Sequence, residues 1–314
     1  MTDVMAGDLI DLDQTPKGDA PRLRTYGVGS AGCNMIAASP FPSVAFSTSP
    51  ADAGRVPADR RLTVTADRLV GLYQTDPGVV AQMPSILGDD VLALFEDTDV
   101  AFLMTGLGGV AGSIGTCVLG MAAMAKCPLT ISAVALPFSA ESERRRSFAL
   151  KCSRRIMSSV DLSIVFANDA LSGLAPHMPL SRAFDVLNGI MQRPAIEAAN
   201  VLGKAGVRTF KEALGPNTHG RFGLGLARGD DRVAKVVDEA LSSPWFDFAA
   251  EEARVAVAVY SAADPWDKEV ARILDMLRRS MPSARIAYGS YRDDGLKDRI
   301  RLSLVLCTRP AASE

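Results

Sequence analysis

Residues 102–125 read FLMTGLGGVAGSIGTCVLGMAAMA, and this stretch decides how the rest of the chain is understood. An apolar run passes into glycines and small residues, then into an apolar segment of helical length. Such a cluster lets backbone N–H groups close on an anion at a helix N-terminus. Tight strand–helix packing is the plain alternative. A second cluster, GVGSAGCN at 27–34, also follows a strand-like run and opens a helix. Gly27, Gly29 and Gly32 have the G-x-G-x-x-G spacing, which alone is a weak dinucleotide fingerprint. A nicotinamide site would want an acid at the end of the next strand, and that strand ends in Ser47 and Thr48. Neither cluster is followed by Lys-Ser or Lys-Thr, which excludes a Walker loop. Two clusters at successive strand ends instead make a bipartite phosphate cradle from backbone N–H groups.

Outward from these loops the alternation is regular. VAFLMTG, LTISAVALP and DLSIVFAND read as strands apolar on both faces, with helices at 112–126 and over AESERRRSFALKCSRRIMSSV, the latter amphipathic. That pattern predicts an α/β fold with a parallel sheet covered on both sides. Every small-residue or polar loop follows a strand, so the loops converge on the carboxyl edge of the sheet, where ligands bind. VVAQMPSILGDDVLALFEDTD carries apolar residues at helical spacing. A long helix follows over about 180–203, in which Pro194 predicts a kink or break. Beyond it, strands near 221–228, 254–260, 284–290 and 300–307 alternate with helices at 230–241 and 266–280, a smaller α+β domain. Residues 1–20 are acidic and aperiodic and read as a disordered tail. The expected divisions are therefore 1–20, a nucleotide-binding domain over 21–178, a central helix over 179–203 and a C-terminal domain over 204–310.

The chain has 314 residues, 48% of them hydrophobic and 22% charged, enough for two packed domains. A formal net charge of −2 gives no electrostatic case for nucleic acid or an anionic membrane. No apolar run approaches the ~20 residues of a membrane span, and the N-terminus lacks a signal pattern. Five scattered cysteines read as buried reduced thiols of a cytoplasmic protein, and two histidines argue against a zinc or iron site.

The motifs, in this order, resemble the tubulin/FtsZ superfamily, closer to FtsZ than to tubulin. GVGSAGCN is similar to its first loop, GLGGVAGSIG to its glycine signature, and ALPFSAESERRRSFA and DLSIVFAND to the segments that follow. GLARGDDRVAKVVDEALSSPWF resembles a stretch of its C-terminal domain. The likeness spans about residues 22–308. It implies a parallel-sheet nucleotide-binding domain, a central helix and a smaller α+β C-terminal domain.

The resemblance also implies a nucleotide site, carried over unevenly. The first loop contributes Gly27, Gly29, Ser30, Ala31, Gly32, Cys33 and Asn34. The signature loop contributes Gly106, Gly108, Gly109, Val110, Ala111, Gly112 and Ser113, with Val110 and Ala111 standing where the family has Gly and Thr. Pro137 joins the site; Glu141 would face the ribose, with Arg145 one turn on; Asn168, Phe184 and Asn188 would meet guanine. Solvated, capping and core roles are the plain readings of these same side chains. Ser47-Thr48-Ser49 replaces an Asn-Thr-Asp loop, which removes a carboxylate placed to support hydrated magnesium and leaves magnesium open. Asp76-Pro77 of the loop facing the γ-phosphate is kept. The two acids that position the attacking water in the family are missing from NVLGKAGVRTF at 200–210; Glu197 and Glu212 are the nearest carboxylates.

The implied protein is a divergent FtsZ-like one lacking the catalytic acid pair. It binds GTP or GDP, forms head-to-tail filaments with itself or with another FtsZ, and hydrolyses GTP weakly or not at all, in cell division or cell-shape organisation. Two alternatives stand: an active GTPase completed by another subunit, and a nucleotide-free scaffold or regulator. The sequence stops soon after the last expected strand, so any membrane tether is expected elsewhere, with Leu9, Ile10 and Leu12 of the acidic tail as candidates.

Overall fold

The computed structural model describes residues 8–13, 19–171 and 178–308. Parts of the expected tail, the end of the 21–178 domain, His177 and residues 309–310 lie outside them. The chain divides into two compact units, Pro21–Ala195 and a second made of Met1–Ala20 with Ile196–Glu314.

In chain order the strands are β1 (Leu9–Asp11), β2 (Leu23–Val28), β3 (Ser43–Ser47), β4 (Arg60–Thr63), β5 (Val100–Gly106) and β6 (Leu129–Leu136). β7 (Leu162–Ala167), β8 (Thr218–Arg228), β9 (Val255–Ala262), β10 (Arg285–Arg292) and β11 (Arg299–Thr308) complete them. The α-helices are α1 (Gly29–Ile36), α2 (Pro50–Gly54), α3 (Ala66–Gln74), α4 (Pro77–Gln82), α5 (Asp89–Leu92) and α6 (Val110–Lys126). They continue with α7 (Glu143–Met157), α8 (Leu180–Val201), α9 (Lys204–Leu214), α10 (Arg232–Leu241) and α11 (Asp267–Ser280).

The unit Pro21–Ala195 is built on a parallel sheet in the order β7-β6-β5-β2-β3-β4. β3 is buried throughout, and β5 and β6 at all but their last residue, so both faces are covered. Because every pair is parallel, the loops after β2, β3, β5, β6 and β7 all leave from one edge. The core gathers Tyr26, Phe46, Phe95 and Leu103; Tyr26 stacks on Phe95 at 4.6 Å and donates its hydroxyl to the Leu94 carbonyl at 3.0 Å.

The apolar pattern expected to make a helix near 79–99 is instead broken into α4, α5 and two short 3₁₀ turns at Pro84–Leu87 and Ala93–Phe95. Pro84 and Gly88 (φ 91°) stop propagation each time. Of the kink or break expected at Pro194, the break does not occur: α8 is helical from Leu180 to Val201. Buried Met191 and Ala195 hold the helix on either side, and Gln192 Nε2 donates to the Met35 carbonyl at 2.6 Å. The boundary between units falls one residue past that proline.

The second unit carries strands in the order β1-β10-β9-β11-β8, with β11 antiparallel to both β9 and β8. Ile300, Leu302, Leu304 and Leu306 of β11 pack with Val236 of α10 and Leu277 of α11. Here the tail reading needs correction. Leu9–Asp11 forms a parallel edge strand against Ile286–Tyr288, Leu12 is fully buried, and Asp13 Oδ2 accepts from both Ser290 N and Oγ at 2.8 Å. The edge of β10 supplies the partners an isolated acidic segment lacks, so Leu12 is not free to act as a membrane tether.

Candidate functional site

The site lies within the Pro21–Ala195 unit, at the carboxyl edge of its sheet. β2 runs directly into α1 and β5 into the loop before α6. Val28 caps α1 and Gly109 caps α6, and neither helix has a side chain bonded to its first-turn N–H groups. Those donors lack intrahelical partners, and the helix dipole adds partial positive charge. Gly29 has φ +73°, and a Cβ there would stand 2.7 Å from Gly112 N. The two uncapped N-termini thus abut, an arrangement a side chain at residue 29 would prise apart.

The signature loop is held from inside. Ser113 is fully buried and its Oγ accepts from Gly108 N at 2.9 Å, while Thr105 Oγ1 donates to the Val28 carbonyl at 3.0 Å. Ser113 therefore shapes the loop, and the Gly108 N–H is already engaged. Gly108 itself has φ +108° with the Arg145 stem against it. Gly109 and Val110 are exposed. The Cys33 thiol is turned into the core toward the Gly27 and Phe46 carbonyls, and burial pushes it up to about 11, so this residue can offer a ligand only its backbone.

Beside the cradle is a cavity of about 550 Å³. Of the residues read from sequence, Ala31, Asn34, Gly106, Pro137, Glu141, Arg145, Asn168, Phe184 and Asn188 line it. Gly27, Gly29, Ser30, Gly32, Cys33, Gly108, Gly109, Val110, Ala111, Gly112 and Ser113 do not; they form or flank the two glycine loops. Met35, Ala37, Leu107, Ala135, Asp185 and Leu187 also line the cavity and escaped the sequence reading. Asp185 was findable, since it lies three residues before Asn188 on one helix face.

Hydrogen bonds between loops set the cavity wall. Ser139 N and Oγ donate to Asp169 at 2.9–3.0 Å, joining the loops after β6 and β7. Glu141 Oε1 accepts from Phe138 N at 2.9 Å and Oε2 pairs with Arg145 Nε at 2.8 Å. Each carboxylate oxygen keeps a second lone pair for a ligand hydroxyl. Phe184 meets Phe138 edge to face at 5.9 Å. Asn168 is 9% exposed, and its Oδ1 is buried without a hydrogen-bond partner among the described residues. An orphaned buried acceptor costs stability unless something fills it.

The remaining loops are self-satisfied. Ser47 Oγ accepts from Ser49 N at 3.1 Å, Ser49 Oγ from Asp52 N at 3.3 Å, and Asp76 Oδ1 from Gly78 N at 2.7 Å as the cap of α4. Among the described residues no group of three or more His, Cys, Asp or Glu converges as a metal site. In the second unit Glu197 is buried, accepting from Ser303 Oγ at 2.8 Å with Arg301 Nε at 3.6 Å, and exposed Glu212 pairs with Arg208 at 2.9 Å. Asn200 Nδ2 bonds back to the Ile196 carbonyl at 2.8 Å.

Comparison with known proteins follows the same division. Residues 43–176 match the model of the tubulin/FtsZ family GTPase domain, and residues 219–308 that of the FtsZ family C-terminal domain. The chain is 28% identical over 313 residues to the cell division protein FtsZ of Methanothermobacter thermautotrophicus, covering 94% of this chain and 81% of that one. It is 30% identical over 301 residues to cell division protein FtsZ 1 of Archaeoglobus fulgidus, covering 90% and 81%. A solved empty FtsZ dimer from M. jannaschii shares the fold with a TM-score of 0.76 at 22% identity, covering 94% and 90%. Matches that extend through both units, in one order and at that level of identity, place the chain: it belongs to the tubulin/FtsZ family.

Proposed function

We propose that the cavity and the paired helix N-termini bind a guanine nucleotide, GTP or GDP, and that the protein cleaves it slowly or not at all. The observation that carries the binding half is Asn168 Oδ1, buried and without a hydrogen-bond partner among the described residues, in a cavity beside two abutting uncapped helices. A guanine edge offers the donors that Oδ1 lacks. Phe184 would supply a ring face, Asn188 and Asp185 further polar contacts, and Glu141 an acceptor for ribose hydroxyls. The phosphates would lie against the N-termini of α1 and α6, with Arg145 adjacent. A magnesium ion would take its ligands chiefly from phosphate and water, since among the described residues no carboxylate cluster awaits it.

Slow cleavage follows from the acids. An attacking water needs a group to orient or deprotonate it. The segment 200–206 has no carboxylate, Glu197 is buried against Ser303 and Arg301, and Glu212 faces Arg208. The relatives are named for cell division and one neighbour was solved as a dimer. We accordingly assign head-to-tail self-association, serving division or cell shape.

Binding of fluorescent GTP, GDP and ATP, with phosphate release measured on the same sample, tests both halves. Guanine-selective binding with negligible release is expected. Equal affinity for ATP, or no binding at high micromolar nucleotide, removes the first half; brisk release by the protein alone removes the second.

A further inference from the structure

The overall charge of −2 conceals a one-sided surface. α7 buries Ala149, Cys152, Ser153 and Ile156 against its own unit. On its opposite face Arg144, Arg146, Lys151 and Arg154 are exposed around Leu150, itself 51% exposed. At 3.6 residues per turn, Arg146, Leu150 and Arg154 form one ridge, with Arg144 and Lys151 two turns apart beside it. Two further cations of the helix are already engaged: Arg145 with Glu141, and Arg155 with the Thr75 carbonyl at 2.8 Å and the Tyr73 ring. The four outer ones make no ion pair with any described residue, and Glu143 is the one acid on the helix. None of these four, nor Leu150, lines the cavity described above.

Like charges one turn apart weaken a helix, so Lys151 beside Arg154 does not favour α7; Arg154 alone of the four is placed in the last turn, where the helix dipole welcomes a cation. We propose that this face docks on an anionic lipid surface, with the four cations among headgroup phosphates and Leu150 at the boundary between headgroups and chains. Charge complementarity favours that occupant. Cations flanking an exposed apolar side chain match the two layers of a bilayer interface. A bound acidic peptide would want a groove or a free strand edge, and a single convex helix offers neither. No described helix is long and apolar enough to cross a membrane, so the contact is peripheral.

The test is co-sedimentation of the full chain, at low salt, with vesicles of equimolar phosphatidylglycerol and phosphatidylcholine, or of phosphatidylcholine alone. Binding to the anionic vesicles alone is expected, lost at ~0.5 M salt where the Debye length falls to a few ångströms. Each of R144A, R146A, K151A and R154A should weaken it about fivefold, and the fourfold Glu variant should abolish it. Leu150→Ala should weaken vesicle binding while leaving any binding to soluble polyglutamate or DNA unchanged. A matching thermal melt confirms that each variant is folded, and the single variants keep the test readable if the fourfold one is not. Equal binding to neutral vesicles, no binding to anionic ones, or wild-type binding by the single and fourfold variants overturns the proposal. Capture of polyglutamate as tight as that of anionic vesicles, with Leu150→Ala affecting neither, reassigns the face to an acidic macromolecule.

Discussion

Asn168→Ala separates a ligand contact from a structural one. The carboxamide sits just after β7, 9% exposed, with Oδ1 buried and without a partner among the described residues. Its backbone bonds are independent of the side chain: Asn168 N donates to the Leu136 carbonyl at 3.3 Å, and Leu171 N to the Asn168 carbonyl at 3.0 Å. Truncation to alanine therefore removes an unpaired acceptor and keeps the turn. The free protein should lose no stability, because a buried polar atom without a partner already costs about 1–3 kcal/mol. The nucleotide complex should lose the hydrogen bonds made to the base, again about 1–3 kcal/mol, or roughly five- to 150-fold in affinity. The assay pairs titration with fluorescent GDP and urea unfolding without nucleotide. A urea midpoint that holds while affinity falls is the expected pair. Unchanged affinity with stability lower by about 1 kcal/mol or more would refute the reasoning and make Asn168 a turn-forming residue.

Other substitutions report on the rest of the assignment. Glu197→Ala leaves Arg301 buried with Asp293 and Tyr291 still bonded to it, so a loss of about 3 kcal/mol in unfolding free energy is expected, at the low end for a broken buried pair; an unchanged urea midpoint would refute this structural role. Gly29→Ala forces a side chain at φ +73° into the Gly112 backbone, and nucleotide affinity measured by titration should fall at least tenfold. Leu12→Ala should cost about 2–4 kcal/mol in urea unfolding, and no more than deletion of residues 1–13, since detachment of the segment caps the loss. Burial pushes Cys33 up to about 11 and Cys127 up to about 12, so a thiol reagent at pH 8 should meet almost no thiolate until the protein is unfolded.

Apart from β4, the parallel sheet was legible because its strands are largely apolar and are followed by glycine- or serine-rich loops; β4 reads RRLT, is exposed at three of its four positions, and carries no such signal. The joint placement of Glu141, Asn168, Phe184 and Asn188 around one cavity was legible only through the resemblance, as they come from three separate segments. What each glycine does was not legible. Spacing cannot say that Gly29 approaches Gly112, a neighbour distant in sequence, or that the Gly108 N–H is consumed by Ser113, which depends on how the loop itself turns. Glu197 looked like a spare carboxylate until β11 placed Ser303 and Arg301 beside it. β1 was missed because its three residues have no periodicity of their own. The helical spacing over 79–99 misled because Pro84 and Gly88 each override apolar pattern.

The strand at Leu9–Asp11 also sets a timetable. Asp13 and Ser290 are 277 residues apart in sequence. At translation rates of about 5–20 residues per second, Leu9–Asp11 waits roughly 15–55 s after its own synthesis for the strand it pairs with. Pro21–Ala195 is complete well before that, so closure of the N-terminal strand is among the last events in making the protein. A tag fused ahead of residue 8 would thus be carried on the edge of the C-terminal sheet, and would act on the step that finishes folding rather than the one that starts it.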